Sequence, residues 1–427
     1  MFKKITSMIL AFVVSACAVM SLSSCGGEET AKDNGAAADV KIGVILIGDD
    51  AEGYSQAHIE GIKKAAKNLN VAENQIIWKY KVTEDSSCYE AAADLVGSGC
   101  NLVISNSYGH QTYIAQAAQE FPEVTFLAMT GDFAAISGLD NMKNAFTDVY
   151  ESRYVSGVVA GLKVKELVEE GTLTQEKHPE HFDADGNIKI GYVGAYNYAE
   201  VVSGYTAFYL GIKSVVPNVA MEVNYTNSWF DIDKEGQAAK ALISNGCVII
   251  GQHADSTGAP AETEAQNKAG KIAYSVGYNI NMIDTAPTAA LTSATNNWSA
   301  YYTYAIDAFI KGEEIADNWA EGFAQDAVSI TPLNTSCAKG TQEYVDDVIA
   351  KIKDGTVKVF DTNTFTVNGE KVTSAPVDLS YCDFTTNPPT VVYKGETVEA
   401  IKDGAFSESS FRAAPYFALR IDGITEK

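Results

Sequence analysis

The chain has 427 residues, a composition of ordinary globular type and a formal net charge of −24, which allows two or three domains with a sizeable core. The excess of acidic residues argues against binding of nucleic acid or anionic lipid through a basic surface. Arginine is scarce, because only Arg153, Arg412 and Arg420 occur. Few guanidinium groups are therefore available for bidentate hydrogen bonding to a carboxylate or phosphate ligand.

The N-terminal segment has the order of a bacterial lipoprotein signal. Two lysines precede a long apolar stretch that ends in the sequence LSSC at Cys25 and gives way to small and polar residues. LSSC resembles a lipobox, in which the cysteine thiol is acylated and the cysteine becomes the new N-terminus. A rival match at Cys17 would leave too short an apolar region before it.

We therefore predict a signal peptide over 1–24, lipidation of Cys25 and a flexible tether over 25–40. The alternatives are a plain membrane anchor and an unmodified signal. The lipidated form would be extracytoplasmic and anchored to the cell membrane of a bacterium.

The next part of the chain contains one structural plan twice. KIGVILIGDD begins at Lys41 and KIGYVGAYNYAE begins at Lys189, and each reads as a β-branched strand that leads through a small-residue turn into a helix. At nearly equal distances downstream, a second apolar strand opens at Cys100 in the first half and at Cys247 in the second. Matching order at matching spacing predicts two halves with a shared βαβα arrangement.

The pattern of apolar residues predicts an α/β fold with two lobes. Ile59, Ile62, Ala66 and Leu69 recur at helical spacing and predict one buried helix face. Continuous apolar runs such as NLVIS and VTFLAM alternate with helical patterns, which is typical of doubly wound parallel sheets covered on both faces. We expect lobe 1 over 41–148, completed by about 280–335, and lobe 2 over 149–279. A C-terminal helix and a β-rich appendix would then follow over 336–427, with a turn at Asn368-Gly369.

The two sheets predict a ligand cleft between the lobes, because ligands of open parallel sheets bind beyond the carboxyl ends of the strands. The turns expected there, among them SNSYGH, TNSWFD and GQHADSTG, are dense in amides, histidine, acids and aromatic residues. The ten candidate ligand-binding residues, at these and similar strand ends, are Tyr54, Asn106, His110, Thr130, Tyr198, Trp229, His253, Asp255, Asn279 and Asn296.

Catalysis and metal binding are weaker interpretations of the same turns. His253, Asp255 and Ser256 supply the residue types of a hydrolytic triad, but neighbours on one loop do not easily form that geometry. A zinc site from His110, His253 and Asp255 has no supporting ligand spacing. We therefore predict neither a catalytic residue nor a metal or other cofactor, and expect hydrogen bonding to a ligand or to the backbone.

Four motifs in order resemble the basic membrane protein family of lipoproteins, which are substrate-binding components of ABC transporters and include purine-nucleoside receptors. The motifs are GYSQAHIEGIKKAA, NAFTDVYESRYVSGVVAGL, NYTNSWFD and ITPLN, and the similarity covers roughly 41–335. The resemblance implies a type I periplasmic-binding fold, with two lobes that are joined by three crossings and close on the ligand. It also implies a permease and an ATPase as partners.

In nucleoside-binding members of the family, two aromatic rings sandwich the base, and Tyr54 and Trp229 occupy the matching positions. The family's ribose ligands are different here. Gly277 and Asn279 lie where relatives carry aspartates, and Asn296 lies where they carry a lysine. Either neutral amides together with His253 and Asp255 hold the ribose, or the ligand is not a nucleoside.

The resulting functional prediction is a monomeric, lipid-anchored solute-binding protein that delivers a purine nucleoside or a related compound to an ABC transporter. The alternative is a ligand-sensing or sugar-binding surface lipoprotein of the same fold. The two classes differ in their partners, which the sequence of this chain does not contain.

Overall fold

A computed structural model describes residues 37, 39–383, 388 and 390–427. The predicted signal peptide, Cys25 and nearly all of the predicted tether lie outside the described residues. Among the residues that are described, no helix combines the length and the apolar character needed to cross a membrane.

The first lobe is built on a parallel sheet of six strands in the order β11-β5-β4-β3-β1-β2. Its strands are β1 (Ile42–Ile45), β2 (Ile76–Lys79), β3 (Leu102–Ser105), β4 (Thr125–Met129), β5 (Met142–Thr147) and β11 (Asn318–Glu321). Its helices are α1 (Gly53–Asn68), α2 (Ser86–Gly97), α3 (Gln111–Glu120), the short α4 (Ala134–Ser137) and α9 (Trp298–Lys311).

The second lobe is built on a sheet of seven strands in the order β12-β10-β9-β8-β6-β7-β21, in which only β12 runs antiparallel to its neighbour. The strands are β6 (Ile188–Gly194), β7 (Val219–Tyr225), β8 (Ile249–Gln252), β9 (Tyr274–Tyr278), β10 (Ala290–Asn296), β12 (Val328–Ile330) and β21 (Ile424–Glu426). The helices are α5 (Val149–Glu169), α6 (Ala199–Val215), α7 (Ile232–Ser244), α8 (Gly258–Lys268) and α10 (Thr341–Lys353).

Both sheets contain the same strand order, since β2-β1-β3-β4-β5 in lobe 1 corresponds to β7-β6-β8-β9-β10 in lobe 2. The central strands are buried on both faces, as their unbroken apolar runs predict. The predicted two-lobed α/β fold is therefore confirmed.

Helix α1 shows how local sequence places a cleft residue. Glu52 is its N-cap, and the carboxylate accepts the backbone N–H groups of Tyr54 and Ser55, which have no partner within the helix. Ile59 and Ile62 face the core, as their spacing predicts. The capped first turn therefore fixes Tyr54 at the end of β1.

Helices α5 and α6 of lobe 2 pack with their backbones in contact. A Cβ atom on Gly157 would lie 2.2 Å from the carbonyl oxygen of Phe208, and one on Gly211 would lie 2.1 Å from that of Tyr154. Only glycine allows this approach. Gly157 and Gly211 therefore belong to a close helix-packing surface.

Three crossings connect the lobes. The chain passes from β5 to α5 at Asp148, from β10 to α9 at Asn297, and from β11 to β12 through residues 322–327. The crossings are joined to each other, because the Asp148 N–H donates to the carbonyl of Glu321 and the Asn297 N–H donates to that of Ala327.

The sheets correct the predicted division of 280–335. Of this segment, α9 and β11 belong to lobe 1, whereas β10 and β12 belong to the sheet of lobe 2. The reason is pairing: β10 lies parallel to β9 and completes the repeated strand order. The second crossing therefore comes after β10 rather than near residue 280.

The C-terminal segment is rich in short β-hairpins. Their strands are β13 (Thr366–Val367), β14 (Glu370–Lys371), β15 (Pro376–Asp378), β16 (Tyr381–Asp383), β17 (Thr390–Tyr393), β18 (Thr397–Glu399), β19 (Ile401–Lys402) and β20 (Ala405–Phe406). Asn368 and Gly369 join β13 to β14 with positive φ angles of 53° and 79°, as a two-residue hairpin turn of Asn-Gly predicts.

This segment contacts both lobes. Phe417 lies in the core of lobe 2, and β21 extends the lobe 2 sheet. On lobe 1, Tyr381 and Tyr393 pack against Phe133 at ring distances of 4.4 and 4.8 Å. The C-terminal segment is therefore part of the two-lobed body.

Candidate functional site

A cavity of about 240 Å³ lies between the lobes, at the carboxyl ends of the strands, where the sequence predicts the cleft. Lobe 1 contributes Ile47, Gly48, Glu52, Tyr54, Glu84, Ser107, Tyr108, Thr130 and Phe146. Lobe 2 contributes Glu200, Trp229, Phe230, His253, Asp255 and Tyr278.

Tyr54 is the aromatic residue that α1 places in the lobe 1 wall. Its hydroxyl donates to the carbonyl of Asn106, and its ring meets the edge of His58 at 4.5 Å. His58 in turn stacks on Trp298 at 4.2 Å. The Tyr54 ring is thus held in one orientation by the lobe 1 core.

Trp229 is the corresponding aromatic residue of lobe 2 and follows β7. Its ring packs against Tyr196 at 5.2 Å, and its backbone carbonyl accepts the N–H of Asp255 at 2.7 Å. The loops after β7 and β8 are therefore tied together. This arrangement brings an indole ring and a carboxyl group to the same wall.

Four acidic residues line the cavity: Glu52, Glu84, Glu200 and Asp255. Burial raises the pKa of Asp255 well above its usual range, and Glu52, Glu235 and Glu200 act in the same direction. Burial also raises the pKa of Glu52, although hydrogen bonds from Ser55 and Tyr54 oppose it. The cavity therefore concentrates carboxyl groups whose charged forms are disfavoured by burial, and its described lining residues include no lysine or arginine for an anionic ligand.

His253 lines the cavity beside these acidic residues and is fully buried. Its Nε2 lies 3.0 Å from Glu200 Oε1, and burial lowers its pKa, with Arg153 acting in the same direction and Glu200 opposing. Arg153 lies 3.6 Å from the centre of the Tyr278 ring and donates to the carbonyl of Gln252. The cation is therefore behind Tyr278 and is not among the cavity-lining side chains.

Five of the ten predicted ligand-binding residues line the cavity, and the remaining five lie around it. Asn106 is buried, and its side chain accepts the N–H of Ile47 and donates to Ser55. His110 bonds the carbonyl of Val82. Tyr198 is 54% exposed and lies beyond Trp229, at a ring distance of 6.1 Å. In this structure the side chains of these three residues contact backbone groups or neighbouring side chains, and they are not among the lining residues.

Asn279 and Asn296 lie beside the cavity, where β9 and β10 end. Asn279 donates to Asp255 Oδ1 at 2.6 Å and accepts from Asn296 at 3.0 Å. Asn296 also accepts from Thr147, at the end of β5. The two amides thus link Asp255 to the first and second crossings. At Gly277, a Cβ would lie 2.4 Å from Ser293 Oγ, so the position is closely packed.

The loop that carries the triad residue types has a different organisation. His253 pairs with Glu200, whereas the Ser256 hydroxyl accepts the N–H of Gly258 at 3.1 Å and the Ser256 N–H donates to Glu235. His253 and Ser256 therefore have different hydrogen-bond partners and are not paired as in a hydrolytic triad. His110 and His253 belong to different lobes, and His110 is not a lining residue.

Sequence reasoning missed several lining residues. Glu52, Glu200 and Tyr278 belong to the strand-to-helix segments GDDAEGY, GAYNYAE and VGYNIN. Glu52 is the N-cap of α1, Glu200 lies in the first turn of α6, and Tyr278 is the last residue of β9. Their position near the carboxyl end of a strand was the available signal. Glu84 lies further from its strand, in the loop before α2, where its carboxylate accepts from Ser107 and Gly109, and the local sequence has no comparable signal.

The two parallel sheets and the cavity between the lobes define a type I periplasmic-binding fold. A solute-binding protein from Conexibacter woesei has a TM-score of 0.56 and 18% identity, with coverage of 75% of this chain and 98% of that one. A Bacillus halodurans protein described as a transcriptional activator of the comK gene has a TM-score of 0.58 and 20% identity, over 74% and 99% of the two chains. These likenesses establish the fold alone.

The chain belongs to the Bmp family of PnrA-like ABC transporter substrate-binding proteins, whose family model matches residues 40–363. A purine-binding protein of Brucella abortus is 30% identical over 322 residues, which cover 75% of this chain and 83% of the relative. A putative ABC transporter glucose-binding protein of Haloferax volcanii is 26% identical over 298 residues, or 70% and 67% of the two chains. The family is one of solute-binding proteins rather than enzymes.

Proposed function

We propose that the protein binds a purine nucleoside or a related purine in the interlobe cavity and presents it to an ABC transporter. The observation that carries this proposal is the placement of Tyr54 and Trp229 in the walls contributed by opposite lobes. Aromatic faces bind flat heterocycles by stacking, which contributes about 1–3 kcal/mol per base in nucleic-acid complexes.

The acidic lining supports a ligand that donates hydrogen bonds. The N–H groups of a purine and the hydroxyl groups of a ribose match the carboxyl oxygens of Glu52, Glu200 and Asp255. A phosphate group would meet these carboxylates without a cationic side chain among the lining residues. The purine-binding relative from Brucella abortus supports the same ligand class.

A sugar is the second candidate. Aromatic rings with carboxylates also suit the faces and hydroxyl groups of a hexose, and one relative is named as a putative glucose-binding protein. A sensor of the same fold would use this cavity without a transporter. The ligand therefore has to be tested separately from the partner.

Delivery would follow from closure of the lobes. A ligand in contact with both walls stabilises the closed form more than the open form, and the permease with its ATPase would recognise that form. We expect the receptor to act as a monomer, because each chain supplies both walls of its own cavity.

The test is calorimetry with adenine, adenosine, guanosine, adenosine monophosphate and glucose, accompanied by small-angle scattering. We expect purine binding with a smaller radius of gyration, and an increase of about 2.7 kcal/mol in the free energy of unfolding at ligand concentrations one hundred times Kd. The monophosphate should bind at least tenfold more weakly than adenosine. Binding of glucose but of no purine would replace the proposal with its alternative.

The proposed lipid anchor has its own test. Cys25→Ser should release the full-length protein from the membrane fraction of a bacterial host, because no thiol then remains at the lipobox, and should leave solute binding unchanged. Cys17→Ser is the matched control, since it removes the rival cysteine from the same segment. Incorporation of a palmitate analogue measures acylation directly. Membrane retention and labelling of the Cys25→Ser variant would contradict the assignment.

A further inference from the structure

A second group of chemically reactive side chains lies on lobe 2, away from the cavity. It consists of His178, Glu180 and His181, in the surface segment between α5 and β6, where Pro179–His181 form one turn of 3-10 helix. Two of the five histidines of the chain thus occur within four residues. In the part of the chain that the structure describes, this is the one group of three or more such residues whose donor atoms lie close enough together to hold one metal ion.

The three side chains converge. His178 Nδ1 lies 3.2 Å from Glu180 Oε1, and His181 Nε2 lies 3.8 Å from the same oxygen. All three donor atoms lie within 4.8 Å of one another. Tetrahedral zinc, at roughly 2.0–2.2 Å from nitrogen and oxygen ligands, keeps its donors about 3.3–3.5 Å apart. Small side-chain rotations would therefore bring the three atoms to coordinating distances.

The hydrogen bond of His181 favours the ligating form of its ring. Its Nδ1 lies 2.6 Å from the carbonyl oxygen of Gly246, which accepts only, so Nδ1 carries the proton and the lone pair is on Nε2. This Nε2 lies 3.8 Å from the Glu180 carboxylate. Two acceptors at this distance are stabilised when a cation binds both. Metal-binding histidines commonly donate their other ring N–H to a backbone carbonyl in this way.

The backbone around the cluster is firmly supported. Lys189 donates to the carbonyls of Glu180 and Asn245 at 2.9 and 3.1 Å. Gly246 has a φ of +96°, and a Cβ there would lie 1.9 Å from the Glu180 carbonyl oxygen. The turn is thus held against the end of α7, which reduces the ordering needed when a ligand binds.

We propose that His178, Glu180 and His181 form a binding site for a divalent transition-metal ion, with zinc as the best match to two imidazoles and one carboxylate. Three protein ligands leave a coordination position for water. The site is independent of the purine proposal, because none of the three residues lines the interlobe cavity. The side chains of His181, His178 and Glu180 are 9%, 36% and 58% exposed, so an ion can enter from solvent.

The experiment is titration of metal-free protein, purified without a histidine tag, with zinc chloride alone. We expect one equivalent to bind with a Kd in the micromolar range or below and to raise Tm as the zinc concentration rises above Kd. His181→Asn removes Nε2 while its amide N–H can still donate to Gly246. This variant, and separately Glu180→Gln, should weaken binding at least tenfold.

Glu176→Gln is the matched control, because it neutralises an exposed carboxylate of the same segment outside the cluster, and it should bind zinc as the unmodified protein does. Circular dichroism spectra that match those of the unmodified protein would establish that the variants are folded. Absence of stoichiometric zinc binding with a Kd below about 10 μM, tenfold weaker than the upper end of the expected range, would overturn the proposal. Unchanged affinity in a His178→Asn/His181→Asn double variant would overturn it as well.

Discussion

Phe417→Ala is expected to lower the free energy of unfolding by about 3–5 kcal/mol, the range for a buried phenylalanine whose removal leaves a cavity. Phe417 is fully buried although it lies only ten residues from the C-terminus. Its ring stacks on Phe360 at 4.4 Å and meets the Phe406 ring at 4.8 Å. Its backbone N–H donates to the buried carboxylate of Glu408. Urea denaturation, with the slope compared between variants, measures the change.

Phe411→Ala is the matched control for this result. Phe411 belongs to the same segment but is 37% exposed, so its removal should cost much less. A loss of no more than about 0.5 kcal/mol for Phe417→Ala, the usual range of surface substitutions, would show that the packing of Phe417 contributes little to stability. Equally small losses in the two variants would point to the same conclusion.

Phe417 belongs to a C-terminal segment that contacts the two lobes in turn. After α10 on lobe 2, the chain reaches lobe 1, where Arg412 lies 3.5 Å from Asp132 and Ala413 joins the core. It then returns to lobe 2 through Phe417 and β21. The segment thus connects the lobes in addition to the three crossings.

The fold was predictable because its strongest signals are local. Unbroken apolar strands, the helical spacing of Ile59 and Ile62, and the repeated order of strand, turn and helix define two parallel sheets without any knowledge of tertiary contacts. The lobe to which β10 belongs was not predictable, because membership depends on the pairing of β10 with β9. The place of β21 beside β7 also depends on a contact between residues about 200 positions apart.

The site was predictable to the extent that strand ends determine it. The turns after the strands contain Thr130, Trp229, His253 and Asp255, which line the cavity. Asn106 occurs in the same kind of turn but satisfies the backbone N–H of Ile47. A polar side chain after a strand can serve a ligand or a neighbouring loop, and residue type alone does not distinguish these roles.

Trp229→Ala is expected to weaken purine binding by roughly 5- to 150-fold, since stacking on an aromatic ring contributes about 1–3 kcal/mol per base. The substitution removes the only indole among the described cavity-lining side chains. The contact with the Tyr196 ring belongs to the indole and is lost in the variant. The hydrogen bond from the Asp255 N–H to the Trp229 carbonyl belongs to the backbone and can persist. Calorimetry with adenine and adenosine measures the loss for each ligand.

Tyr198→Ala is the control that separates stacking on the ligand from support of the aromatic cluster. Tyr198 lies 6.1 Å from the Trp229 ring but does not line the cavity, so its removal should change affinity less than threefold, or about 0.7 kcal/mol. Because Trp229 would stack on the ring system that adenine and adenosine share, Trp229→Ala should weaken both by the same factor. A loss more than tenfold greater for adenosine would place Trp229 against the ribose, and unchanged affinity for both would remove it from the proposed site.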